Sequence, residues 1–154
     1  MAKLAGGRFD DGAVVGHVAA RLKVYERHAA DGSVSFPMGS DALGYLTYTP
    51  DGYVFMSMMR PERVALSTQW DTAPLEDKGR AATEFSAYCG RYEVRADHVV
   101  HHIEQSLRPN LVGTAQLRFP TFEGDRLSIT DEPIGVGQTA GRRAVWERAR
   151  ATPV

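Results

Sequence analysis

Short runs of alternating apolar and polar residues, broken by turn residues, organise most of this chain. Residues 44–49 (GYLTYT) and 53–59 are β-branched, aromatic or thioether-rich, and they flank Pro50-Asp51-Gly52. Proline presets φ and glycine supplies the left-handed position, so the spacing predicts a hairpin. A second hairpin joins strands over 114–122 and 126–130 through Glu123-Gly124-Asp125. Asp31-Gly32 marks a third turn, between a strand over 21–28 and a short one over 34–36 that closes at Pro37. Further strands are predicted over 91–95, 98–106 and 143–148. Pro109-Asn110 opens a corner that ends at Gly113, and Gly135, Gly137 and Gly141 mark a flexible connection.

Two segments depart from alternation. Val14, Val18, Leu22 and Tyr25 fall at helical spacing, which predicts a short helix or turn ahead of the 21–28 strand. Residues 74–89 predict the one good helix. Asp71 or Thr72 can cap it, Pro74 suits its first turn, and Gly90 sits just past its end. Leu75, Ala82, Phe85 and Cys89 share a face, with Tyr88 beside them. Residues 1–12 are small, Gly-rich and polar and read as a flexible N-terminal arm, leaving 13–150 as a single domain. Eight to nine short strands with tight turns and one helix predict an all-β fold, an antiparallel sheet closed into a barrel. Closure removes exposed edges, and a barrel of about eight strands has room for side chains or one small ligand.

Composition narrows the partners. A 43% hydrophobic and 24% charged chain is an ordinary globular one, and a net charge of -1 leaves no basic footprint for nucleic acid. Arg142, Arg143, Arg148 and Arg150 cluster, but acidic residues balance them, as on a solvated terminal strand. Cys89 is the only cysteine, which excludes an intrachain disulfide and a Cys-based zinc site and agrees with a cytoplasmic location. The first residues lack the apolar core of a signal peptide, and no apolar run approaches the ~20 residues of a membrane helix. No membrane partner is therefore expected, and a homodimer is left open.

The candidate chemistry concentrates in residues 98–118, HVVHHIEQSLRPNLVGTAQLR. Side chains alternate along a strand. One face of 98–106 carries His98, Val100, His102, Glu104 and Ser106; the other carries Val99, His101, Ile103, Gln105 and Leu107. The second set is the more apolar, so periodicity alone turns it inward. A metal is not expected: His98 and His102 would stand about 13 Å apart on one face, and His101 and His102 point to opposite faces. No phosphate loop, nucleophile elbow or dinucleotide fingerprint is present, so no cofactor is expected either. Tyr48, Tyr53, Met56, Met58, Tyr88 and Tyr92 suit an apolar pocket with a few hydroxyls, though ordinary barrel core would use the same residues.

Several pieces in order resemble a known family. They are Asp31-Gly32 with Pro37 and Gly39, GYLTYTPDGY at 44–53, Met59-Arg60-Pro61, Tyr88, Gly90 and Tyr92, HHIEQSLRPNLVGTAQLR at 101–118, and Gly124-Asp125-Arg126-Leu127. From about Gly32 to Trp146 the chain resembles the bacterial and fungal lipocalin-like domain family, small calycin-type β-barrels. Its start departs from the family pattern, because Gly16-His17-Val18 replaces the usual Gly-x-Trp and the spacing to Tyr25-Glu26 is about two residues too long. The first strand or one barrel mouth is therefore expected to differ.

The resemblance implies a hydrophobic small molecule held inside the barrel. Related barrels encoded with natural-product pathways act as cofactor-free cyclases or isomerases, and others only carry a ligand. The family's recurrent polar pattern falls on His102, Glu104, Ser106, Asn110, Gln116 and Arg118, which turns His102 and Glu104 inward, against the periodicity. On that facing His102 is the acid or base, Glu104 its orienting partner, and Arg118 with Gln116 polarise the ligand. An internal Glu104–Arg118 ion pair holding two strands is the purely structural alternative. His101 and Trp146 join the tyrosines and methionines as candidate ligand contacts.

Overall fold

The computed structural model describes residues 8–10, 13–15, 18–131 and 141–149. Its strands are β1 (Arg8–Asp10), β2 (Ala13–Val15), β3 (Val18–His28), β4 (Val34–Ser35), β5 (Leu43–Tyr48), β6 (Tyr53–Met59), β7 (Phe85–Val94), β8 (Val99–Ser106), β9 (Ala115–Glu123), β10 (Arg126–Thr130) and β11 (Gly141–Arg148). One helix, α1 (Leu75–Thr83), precedes β7. The eight strands β3 and β5 to β11 pair antiparallel in chain order, and β11 returns onto β3, closing the barrel. β4 adds a ninth strand beside the far end of β3. The predicted antiparallel barrel is therefore present, with strands β6 and β10 at the predicted bounds.

The β5–β6 hairpin shows why the turn signal was readable. Gly52 takes φ +92, a left-handed value. Its N–H donates to the Thr49 carbonyl at 3.1 Å, and Thr49 Oγ1 accepts from the Tyr53 N–H at 3.1 Å. Both orphan donors of the turn are thereby satisfied.

Two predicted helical stretches are strand. Val18–His28 is continuous β3, paired with β11 and, at its start, with β5. Val145 faces Val24 while Trp146 faces Leu22, so Lys23 is an extra residue on β3. This bulge resets the alternation and puts Leu22 and Tyr25 on the same side of the wall. Their spacing of three imitates a helix. The helix predicted over 74–89 ends at Thr83, and Phe85–Val94 is β7, laddered along β6. The side chains of 85, 82 and 89 do fall at helical intervals, but Tyr88, Gly90 and Tyr92 carry the stronger period of two into the core. Gly90 is thus a strand residue and not a helix cap. α1 buries none of its residues, and Leu75 is 84% exposed.

Of the stretch read as a flexible arm, Arg8–Asp10 is a strand paired with Ala13–Val15 in a separate two-stranded ribbon. Residues 1–7 and 11–12 lie outside the described residues, as do Gly135 and Gly137. Among the described residues no helix is long and apolar enough to cross a membrane, a statement that does not bear on strands.

The core fills the end of the barrel where β5 ends and β6 begins. Leu46, Tyr48, Val54, Val99 and Trp146 are all nearly solvent-free there. Toward the other end, where β8 stops and β9 starts, the packing gives way to a cavity.

Candidate functional site

A second bulge decides which side chains reach that cavity. Along β7 and β8, Cys89 faces Gln105 but Gly90 faces Ile103, leaving Glu104 as the extra residue. The backbone of β8 crowds Gly90 so closely that a Cβ there would collide with the His102 carbonyl oxygen and meet the Glu104 nitrogen. Glycine is required by this contact. Before the bulge, the inward residues of β8 are Val99, His101 and Ile103; after it, Ser106 stands opposite Tyr88.

The facing expected of His102 and Glu104 is therefore corrected. Both are exposed, and His102 Nε2 lies 3.6 Å from Glu93 Oε2 on the outer surface. The periodicity had the first half of the strand right. The polar pattern of the resemblance holds at Ser106, because one extra residue inverts the alternation between 103 and 106. Glu104 does not pair with Arg118. Arg118 instead donates to the Leu117 carbonyl at 2.7 Å, with its charge close enough to Tyr88 to act on that phenol.

The buried histidine is His101, 1% exposed, the only buried polar or charged residue among those described. Its neighbours on β5 and β7 bring two phenols to its two ring nitrogens. Tyr48 Oη lies 2.8 Å from Nε2 and Tyr88 Oη 2.8 Å from Nδ1. Tyr92, whose hydroxyl donates to the Thr49 carbonyl, packs edge-on to Tyr48 with ring centroids 5.1 Å apart. Burial pushes the His101 pKa well below 6.5, and the Arg118 charge adds to the effect. Burial also raises Tyr48 and Tyr88 above their ordinary values, with Arg118 opposing the rise at both. The cluster is accordingly neutral: an imidazole with one donor and one acceptor, between two protonated phenols.

Of the remaining predicted contacts, Met56, Met58, Tyr88, His101, Gln116, Arg118 and Trp146 line one interior cavity. Tyr48 and Tyr92 stand behind its wall rather than on it. Tyr53 points outward, where the Arg91 guanidinium covers its ring at 4.3 Å. Its position flanking the turn gave no signal of facing; its pairing opposite Arg91 does. The sequence reading missed Tyr25, Met38, Arg108 and Arg142, which also line the cavity. Tyr25 was hidden by the β3 bulge, while Arg108 follows the end of β8 and Arg142 stands at the start of β11, both at the open end.

The cavity has a volume of about 110 Å³, or about 800 Å³ with its open mouth included. A cavity of roughly 150 Å³ accommodates benzene, so this space suits a short chain or part of a small ring, with the remainder of a ligand in the mouth. Asp131 at the rim accepts from the Arg142 N–H at 2.8 Å. Among the described residues no three His, Cys, Asp or Glu side chains converge as metal ligands.

The family model of the lipocalin-like domain matches residues 20–149. The chain belongs to the lipocalin-like domain family. That match takes in β3 from Ala20 onward and the other seven barrel strands, and it agrees with the topology observed. Comparison with curated proteins and with solved structures returns no significant match.

Proposed function

We propose that this lipocalin-like barrel takes up a small, largely apolar molecule and acts on it as a cofactor-independent isomerase, cyclase or lyase of secondary metabolism. The observation that carries the reading is the Tyr48–His101–Tyr88 relay at the wall of an apolar cavity. Neutral His101 must accept at one nitrogen and donate at the other. When Tyr48 donates to Nε2, Nδ1–H donates to Tyr88, and the Tyr88 proton is released toward the cavity. Tyr88 then hydrogen-bonds a ligand carbonyl, and Arg118 stabilises negative charge that develops on that oxygen. Polarisation of this kind favours enolisation and double-bond migration, with solvent at the open mouth taking the α-proton and returning one at the γ-carbon, and it favours ring closure of a poised substrate. The narrow enclosed volume supplies the rest by holding the substrate near its reactive shape.

A non-catalytic carrier is the second reading. It is favoured by one observation: both ring nitrogens of His101 are satisfied by the wall itself, so the imidazole is held without a ligand. A compact β,γ-unsaturated ketone, deconjugated cyclohexenone, separates the two. Its isomerisation is followed by ultraviolet absorbance and its uptake through the Trp146 indole signal. Tyr88→Phe is expected to slow isomerisation by about 10²-fold, the magnitude of a lost oxyanion donor, with uptake retained. Uptake with a rate indifferent to Tyr88→Phe supports the carrier, and absence of uptake overturns both.

A further inference from the structure

The cavity wall is rich in donors and poor in acceptors. Trp146 is 1% exposed, lines the cavity, and its Nε1–H has no hydrogen-bond partner. A buried N–H of this kind is costly unless something pairs with it. Arg118 lines the same cavity, and among the described residues no carboxylate is paired with it; its guanidinium donates to the neutral Leu117 carbonyl. Gln116 has its amide nitrogen on the Thr114 hydroxyl at 2.9 Å. At the mouth, Asp131 accepts from the Arg142 backbone N–H and lies 4.0 Å from its guanidinium Nε, which leaves Arg108 as a further cation with no carboxylate paired to it among the described residues.

We infer that the molecule taken into the barrel is an oxyanion, a carboxylate or an acidic enolate on a compact apolar body, held by Arg118 and by the free Trp146 Nε1–H. The inference rests on the interior-binding reading above and specifies its ligand class. An ammonium ligand would find no anion in the enclosed part of the site. A pure hydrocarbon would leave the Trp146 donor unpaired and Arg118 without a counter-charge. An oxyanion relieves both, and a charge-assisted bond to guanidinium is among the stronger hydrogen bonds a site can make.

Four ring compounds of similar size test this on the intact protein. They are cyclohexanecarboxylate, the β-diketone dimedone as its enolate, cyclohexanone and cyclohexylamine. Binding is read from the indole N–H resonances, of which there are two, since the chain has two tryptophans and Trp70 is exposed. The carboxylate, the enolate or both are expected to bind about tenfold to a hundredfold more tightly than the ketone, the range of a bond to a charged group, and to shift the Trp146 resonance. Which of the two acids wins assigns the oxyanion. Arg118→Met is expected to abolish the preference while leaving cyclohexanone binding in place. Trp146→Phe removes the reporter resonance and weakens the acids more than the ketone. Equal binding of ketone and acids, or preference for the amine, overturns the inference and leaves interior binding standing. Failure of all four to move the Trp146 resonance overturns interior binding as well.

Discussion

His101 and His102 are joined by one peptide bond and share almost nothing else. His101 is enclosed, neutral and held between two phenols, with its pKa driven down by burial. His102 is in solvent, within reach of Glu93. Residue type does not explain the difference. It comes from the alternation of β8 and from the bulge at Glu104, which limits how far that alternation runs. A histidine becomes chemically interesting here by its parity along a strand, and parity is set by the partner strand.

The comparison is broken most forcefully at Gly90. Gly90→Ala drives a methyl group into the β8 backbone at the bulge. It is expected to destabilise the fold by about 3 kcal/mol or more, as overpacking against rigid backbone does. Chemical denaturation measures this, and a loss below 1 kcal/mol, on the order of an ordinary surface change, would mean the bulge relaxes freely.

Next in size is the contrast between the two histidines themselves. His101→Phe withdraws the ring nitrogens that hold Tyr88 and Tyr48 and is expected to cost about 1–3 kcal/mol, since two buried hydrogen bonds of about 0.5–1.5 each are lost. His102→Gln is expected to stay within about 0.5 kcal/mol. Adding Tyr88→Phe to His101→Phe should recover part of the loss, because the pair is coupled.

A smaller effect is read against pH. The folded-state pKa of His101 lies below the unfolded value near 6.5, so the unfolded chain binds the extra proton first. The contribution is complete above about pH 6.5 and is lost as pH falls below it, with a slope of up to about 1.4 kcal/mol per pH unit. His101→Gln should flatten that limb of the stability profile, and His102→Gln should leave it in place. The smallest effect concerns Gly79, in the exposed helix, where a Cβ would meet nothing within 4 Å. Gly79→Ala is expected to stabilise by about 0.5–1 kcal/mol, the opposite sign to Gly90→Ala.

Local features were legible in the sequence where local chemistry decides them. Pro50-Asp51-Gly52 announced its hairpin because the glycine needs a left-handed φ whatever surrounds it. The tyrosines and methionines of β5 to β7 announced an apolar interior by their composition. The two bulges were not legible, because an extra residue on one strand is defined only by its neighbour. They account for the main errors: the helix imagined around Leu22 and Tyr25, and His102 and Glu104 turned inward. The overlong helix has a different cause. Ala82, Phe85 and Cys89 satisfy a helical period by coincidence, and only the ladder with β6 shows that Phe85 belongs to a strand.

The forked wall at β3 has a consequence of its own. β3 pairs with β5 only over Val18–Arg21, and β4 takes its place over Arg27 and His28. The connection over residues 36–42 contributes Met38 to the hollow, at 4% exposure. That connection is anchored at its side by the Arg60 guanidinium donating to the Pro37 carbonyl at 3.1 Å. Changes in its length or side chains leave every rung of the closed sheet untouched. The size of the hollow can therefore be retuned at this one panel, by evolution or by an engineer, while the staves of the cask stay where they are.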